Sequence, residues 1–141
     1  MHKRILILCT GNSCRSQMAE GYLKSLDKFL EVYSAGTKPA AGVNPLAVKV
    51  MNENGIDISR NKSKNVNEFI DQSFDYVITV CDKAKETCPF FIGKVGKQLH
   101  IGFEDPAEAT GTEEEVLKVY RKVRDQIMDS FFDFYKTFDH K

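Results

Sequence analysis

Apolar positions come in two rhythms along the chain. Residues 4–9, RILILC, form a short apolar, β-prone run that ends at the polar TGNSCRSQ, as a strand buried on both faces does. Over 16–28, Met18, Tyr22 and Leu26 recur every fourth residue, which predicts a helix. FLEVYSAG (29–36) reads as a strand that ends in a glycine turn. In the next segment Asn44 is a cap, Pro45 fits the first helical position, and Leu46, Val50 and Met51 make an apolar face. Gly55 closes that helix in the left-handed conformation. FDYVITVC (74–81) reads as another buried strand and KQLHIGF (97–103) as a weaker one. Thr112 and Glu115 form a capping box ahead of a stripe through Val116, Tyr120, Val123, Ile127, Phe131, Phe134 and Tyr135. That stripe predicts core packing, with the 131–138 aromatics as a second candidate for a dimer contact.

Strands that alternate with helices predict a parallel sheet with helices on both faces. In such sheets ligands bind beyond the carboxyl ends of the strands. The stretch CTGNSCRS (9–16) lies at one such end and Cys81 at another.

Composition narrows the function. The 141 residues suit one domain; 42% are hydrophobic, and 20 basic residues balance 20 acidic ones. Neutral charge points away from a nucleic-acid groove or a membrane-surface patch. No apolar run is long enough to span a bilayer, and MHKRILILC lacks the small-residue cleavage pattern of a signal peptide. The expected location is the cytoplasm, where four cysteines are expected to be reactive, metal-binding or buried rather than a disulfide framework.

Between a strand and a helix, CTGNSCRS has the makings of an anion trap. Backbone N–H groups of residues 10–15 would point into the loop, and the helix dipole would add positive charge. Gly11 is expected to permit the torsions of such a cradle, and Arg15 to grip two oxygens of a tetrahedral oxyanion. Cys9 at the loop base is the nucleophile, its thiolate favoured by the same donors and by Ser16. Thr10, Gly11, Asn12, Ser13, Cys14, Arg15 and Ser16 are the substrate-binding residues of this reading. Asp105, ahead of Pro106, is the candidate acid for the leaving oxygen, and Glu104 competes with it. The rival is structural zinc on Cys9, Cys14, Cys81 and Cys88. Their spacings are not those of paired zinc ligands, and His2, His100 and His140 are scattered.

A phosphatase needs one cysteine, yet CDKAKETC adds Cys81 and Cys88. They are either two shielded thiols or a redox relay. On a regular helix their α-carbons would stand about 10 Å apart, whereas a disulfide tolerates about 7 Å at most. A relay therefore needs this segment to be a loop or to unwind. Its polar residues Asp82, Lys83, Lys85 and Glu86 suit such movement, and Pro89 blocks continuation of a helix.

Together, CTGNSCRSQMAEG, YSAGT, VITVCDKAKETCP and GFEDP resemble the thioredoxin-coupled arsenate reductases of the low-molecular-weight protein tyrosine phosphatase superfamily, across nearly the whole chain. The resemblance implies an α/β three-layer sandwich in one domain, 1–141, with a four-stranded parallel sheet flanked by helices. It implies that Cys9 attacks arsenate held by the loop and Arg15 while Asp105 protonates the leaving oxygen. Cys81 then attacks Cys9 and releases arsenite, Cys88 attacks Cys81, and thioredoxin reduces the last disulfide. It implies a monomer with no bound organic cofactor. Ala107, where phosphatases of the family place an aromatic near the Asp-Pro, fits a small inorganic ion. Cys14 has no step in this scheme; it is expected to lend its N–H, with an off-pathway bond to Cys9 under oxidation. Asn12 is expected to hold the loop's shape. With Glu20 and Ser34 it resembles part of a potassium site of some family members, but no full ligand set is legible, and no metal is assigned. The alternative functions are phosphomonoester hydrolysis and, further off, thiol-based metal binding.

Overall fold

A computed structural model describes residues 3–82 and 91–138. Its elements run β1 (Arg4–Cys9), α1 (Arg15–Leu26), β2 (Glu31–Gly36), α2 (Pro45–Asn52), β3 (Phe74–Thr79), β4 (Val95–His100) and α3 (Glu113–Lys136). Single 3-10 turns lie at Val66–Glu68 and Pro106–Glu108. The four strands form one parallel sheet in the order β2-β1-β3-β4.

Central β1 is hydrogen-bonded on both sides, which is why Ile5, Leu6, Ile7 and Leu8 are all fully buried. Strand register puts Ile5, Ile7, Val32, Ser34, Tyr76 and Ile78 on one face. Helix α1 covers that face, joined to it by the Ser34–Glu20 hydrogen bond, and α3 does so through Phe134 and Phe138 against Tyr76. On the opposite face, Tyr33 packs against Phe69 just after the first 3-10 turn. Helix α2 lies on α3, where Arg124 donates to the Val50 carbonyl and to Glu53. The result is an α/β sandwich around a four-stranded parallel sheet.

Helix ends follow the sequence. Asn44 Oδ1 accepts from Leu46 and Ala47, Gly55 sits at φ 76°, and Thr112 and Glu115 close their capping box. Strand ends shift. β2 begins at Glu31 because Asp27–Leu30 make a turn that leaves Phe29 60% exposed. β3 ends at Thr79 rather than residue 81. β4 covers 95–100 rather than 97–103; as an edge strand it has no fully buried residue and shows no apolar run. In α3 the stripe is buried as expected at Tyr120, Val123, Ile127, Phe131 and Phe134, with Leu117 in place of Val116.

Strand order reverses at β1. The chain moves from β1 outward to β2, then crosses back to place β3 on the other side of β1. The crevice at such a reversal, beyond the strands' carboxyl ends, is where open α/β sheets bind ligands. Cys9 ends β1, and Cys81 lies two residues past the end of β3.

Candidate active site

The loop 10–14 is held from outside by its carbonyls. Those of Cys9, Thr10, Gly11 and Ser13 accept from the N–H groups of Thr37, Lys38, Ala40 and Asn44, at 2.8–3.2 Å. The Asn12 carbonyl accepts from Gln17 Nε2 and Ser63 Oγ. With its carbonyls turned outward, the loop turns its N–H groups inward. Among the described residues, no backbone acceptor takes the N–H groups of residues 11–15. Nor does a side chain cap α1, whose N-cap is Cys14. The first turn of α1 thus adds unpaired donors and positive dipole to the same centre.

Asn12 is the residue that bends the loop. It is the one non-glycine with positive φ, 49°, among the described residues, and it is fully buried. Its Nδ2 donates to Ser16 Oγ and Ser34 Oγ, both at 2.9 Å, and its Oδ1 accepts from Lys64 N. Ser34 Oγ donates to Glu20 Oε1 at 2.6 Å, Lys24 pairs with Glu20 Oε2, and Asn61 donates to Gln17. Asn12, Glu20 and Ser34 therefore do converge, as the sequence suggests, and they satisfy one another and Lys24.

Gly11 does not play the part expected of it. Its φ is not left-handed, and a Cβ there would meet only Ser13 Oγ at 3.5 Å and Ala40 Cβ at 3.7 Å, ordinary contacts. The glycine that the loop requires is Gly36, at the end of β2, where a Cβ would collide with the Thr10 carbonyl oxygen. Gly11→Ala is accordingly expected to change activity and melting temperature little, within about 0.5 kcal/mol in stability. Thermal denaturation with a steady-state assay checks this.

Cys9 is buried beneath the loop, with the Ser16 hydroxyl and the Asn12 N–H as donors to its sulfur and the Arg15 charge nearby. Cys81, also buried, is the neighbour that most affects the Cys9 thiol, and its sulfur lies 3.4 Å from Thr10 Oγ1. The sequence leads one to expect a depressed Cys9 pKa. The structure corrects this: the Cys81 contact and burial outweigh Ser16, Asn12 and Arg15 and push the Cys9 thiol up. Two sulfurs in contact do not both ionise, so one proton stays with the pair. Burial, with the nearby Asp105 charge, pushes Cys14 up to about 12, and Arg15 opposes this. Cys14 is therefore a protonated, buried thiol beside the loop.

Arg15 crosses the mouth of the site. Its Nη1 donates to the Phe103 carbonyl at 3.0 Å, and Nη2 lies 3.6 Å from Asp105 Oδ2. Its Nε–H is buried with no partner among the described residues, which fits a donor meant for an oxyanion. Asp105 Oδ1 caps the following turn by accepting from Ala107 N, so the carboxyl faces Arg15 with its side chain 31% exposed. Glu104 instead pairs with Lys122 and is exposed. Of the two carboxylates, Asp105 is the one that faces Arg15.

Comparison with known proteins agrees with this layout. The low molecular weight phosphotyrosine protein phosphatase family model matches residues 4–141. The chain belongs to that family. Within it, arsenate reductases stand close in sequence. That of Oceanobacillus iheyensis is 50% identical over 139 residues, 97% of this chain and 99% of the relative. That of Bacillus subtilis is 48% identical over 137 residues, 96% and 97% of the two chains. A solved structure of an arsenate reductase in the phosphate binding state matches with TM-score 0.81 at 32% identity, covering 97% of this chain and 99% of that one. A tyrosine phosphatase of Erwinia amylovora shares the fold, with TM-score 0.78 at 20% identity over 99% of this chain and 95% of its own.

Cys81 joins the loop; Cys88, with Lys83, Lys85, Glu86 and Pro89, lies outside the described residues, as do His2 and His140. Among the described residues, no group of three or more His, Cys, Asp or Glu side chains is arranged to hold a metal. No described helix is long and apolar enough to cross a membrane. Sequence reasoning missed Gly36, Ser63 and Lys64, whose contacts with the loop span many residues, and Gln17, which holds the Asn12 carbonyl and is itself held by Asn61. It also missed Tyr120, whose buried hydroxyl accepts from Asn44 Nδ2 at 3.1 Å while Asn44 N holds the Ser13 carbonyl. Asn61, Ser63 and Lys64 sit in the polar run SRNKSKN, which reads as an ordinary surface loop and gives no local signal of their role.

Proposed function

We propose that this chain is an arsenate reductase that works by a thiol relay. One observation carries the reading: Cys81 lies beside Cys9, its sulfur 3.4 Å from the Thr10 hydroxyl, beneath a loop built for a tetrahedral oxyanion. Ester hydrolysis gives Cys81 no task. The arsenate reductases that are half identical over almost the whole chain support the same substrate.

In this reading the N–H groups of residues 10–16 and the Arg15 guanidinium hold arsenate. The Cys9 sulfur attacks As(V), and Asp105 gives its proton to the oxygen that leaves as water. Cys81 then attacks the Cys9 sulfur. The S–As bond breaks with its electron pair going to arsenic, which leaves as arsenite, and a Cys9–Cys81 disulfide forms. Arsenic is reduced by two electrons and two thiols are oxidised. Cys88 next attacks Cys81, freeing Cys9, and thioredoxin reduces Cys81–Cys88. The reaction needs no bound organic cofactor. We place the protein in the cytoplasm, as one catalytic domain working as a monomer.

The second reading, phosphomonoester hydrolysis by Cys9, Arg15 and Asp105, is favoured by the family to which the chain belongs. The test is NADPH consumption with thioredoxin, its reductase and arsenate, with arsenite quantified. Arsenate-dependent NADPH loss matched one-to-one by arsenite is expected. No such loss, alongside rapid p-nitrophenyl phosphate hydrolysis, would replace the reductase with the phosphatase.

A further inference from the structure

We propose that His100 is a positioning residue for the relay, holding Cys81 against Cys9 by gripping the chain on both sides of it. The inference deepens the reductase reading and rests on it for its role in turnover. His100 ends β4 beside the end of β3, in register with Thr79. Its Nδ1 lies 2.8 Å from Thr79 Oγ1, and its Nε2 lies 3.0 Å from Asp82 Oδ1. One imidazole thus spans the tetrapeptide Thr79–Asp82, whose third residue is Cys81.

Backbone bonds fix the first half of that tetrapeptide. Val80 N donates to the Leu8 carbonyl, Ile101 N to the Thr79 carbonyl and Phe103 N to the Val80 carbonyl, at 2.9–3.1 Å. Asp82 is almost fully exposed, its side chain 91% accessible, so nothing in its own burial holds it in place. The imidazole supplies the hold from the far side. A carboxylate fixes Nε2 as a donor, and the Thr79 hydroxyl rotates to give or take at Nδ1.

The fold makes room for this pair. A Cβ on Gly102 would stand 2.8 Å from His100 Nε2 and 3.7 Å from Asp82 Oδ1. Nothing in the arsenate chemistry itself uses Gly102. Its bareness is explained by the ring it shelters.

Cys81 must reach the back of the Cys9 sulfur in line with the bond that breaks, so freedom at residue 81 lowers the rate of that step alone. The test uses the full-length protein carrying Cys88→Ser, which stops the relay at Cys9–Cys81. His100→Ala should slow the single burst of arsenite by roughly fivefold, as expected for loss of a partly exposed charge-assisted bond. His100→Gln, which keeps a donor, should recover most of the rate. Asp82→Ala, a change at an exposed side chain, should slow the burst as His100→Ala does and guards against misfolding of the histidine variant. Hydrolysis of p-nitrophenyl phosphate, which needs no second thiol, should stay within about twofold in all three. A general structural defect would lower it in parallel with the burst. A second arm omits arsenate: closure of Cys9–Cys81 by diamide, followed by mass spectrometry, should slow in the same order. Wild-type closure rates in both His100→Ala and Asp82→Ala would overturn the proposal, whatever arsenate does. Slowed closure in a protein that shows no arsenite burst even with His100 intact would retire the reductase reading and leave the positioning role standing.

Discussion

Cys81→Ala abolishes steady arsenate-dependent oxidation of thioredoxin, on the reading above, and leaves p-nitrophenyl phosphate hydrolysis within about threefold of the parent. The loop backbone, Arg15 and Asp105 are held by bonds that do not involve Cys81, whose side chain meets the loop at Cys9 and the Thr10 hydroxyl. Arsenic that has bonded to Cys9 has no electron source without a second sulfur. A further consequence follows from the upward push on Cys9, whose largest cause is Cys81. Removing that neighbour lets the Cys9 pKa fall, because Ser16, Asn12 and Arg15 all favour the thiolate. More thiolate is then present at a given pH, and the rising limb of kcat/KM for ester hydrolysis moves to lower pH. Thiolate absorbance during a pH titration checks the sign. A limb that stays put or moves up would mean that the two sulfurs do not share a proton. Cys9→Ser, by contrast, should lose both activities by about four orders of magnitude or more.

The second large effect is expected at a residue with no chemistry. Gly36→Ala puts a methyl group into the Thr10 carbonyl oxygen, with Asn12 N at 3.0 Å behind it. Both are backbone atoms, so no side chain can swing aside. Gly36 N is itself tied to the Lys64 carbonyl, and β2 is fixed in register with β1 up to Cys9 and Gly36. The clash must therefore be relieved by displacing the loop. A cost of about 2–3 kcal/mol in stability and a fall of roughly 10 °C in melting temperature are expected. Because the displaced atoms include the Asn12 amide, kcat should fall by about two orders of magnitude for both arsenate and aryl phosphate. Calorimetry and steady-state kinetics on one sample decide it. A variant as stable and as active as the parent would show that the loop does not need this close approach.

What one chain reveals depends on how far apart the partners lie. RILILC, the cap at Asn44 and the capping box at Thr112 announce themselves because their causes are local: apolar runs and side chains that reach two or three residues along. The Cys-x5-Arg-Ser loop is legible for the same reason, and so is Asp105 ahead of Pro106. Asn12 is different. Its left-handed φ is secured by Lys64, Ser34 and Ser63, which come 22 to 52 residues later, and local reading gave the torsional role to Gly11. β4 was blurred because an edge strand keeps polar residues facing water. The direction of the Cys9 shift was misjudged because the contact with residue 81 exists only after β3 has crossed back beside β1.

That crossing has a cost before the protein is finished. β1 precedes the other strands along the chain and is enclosed late, since one edge waits for β2 and the other for a strand that begins at residue 74. Until then Ile5 to Leu8 form a sticky, unpaired edge, of the kind that joins other unfinished chains. Nascent or heat-shocked molecules should therefore clump through their amino-terminal segment, and chaperone binding should map there rather than to the aromatic helix at the other end.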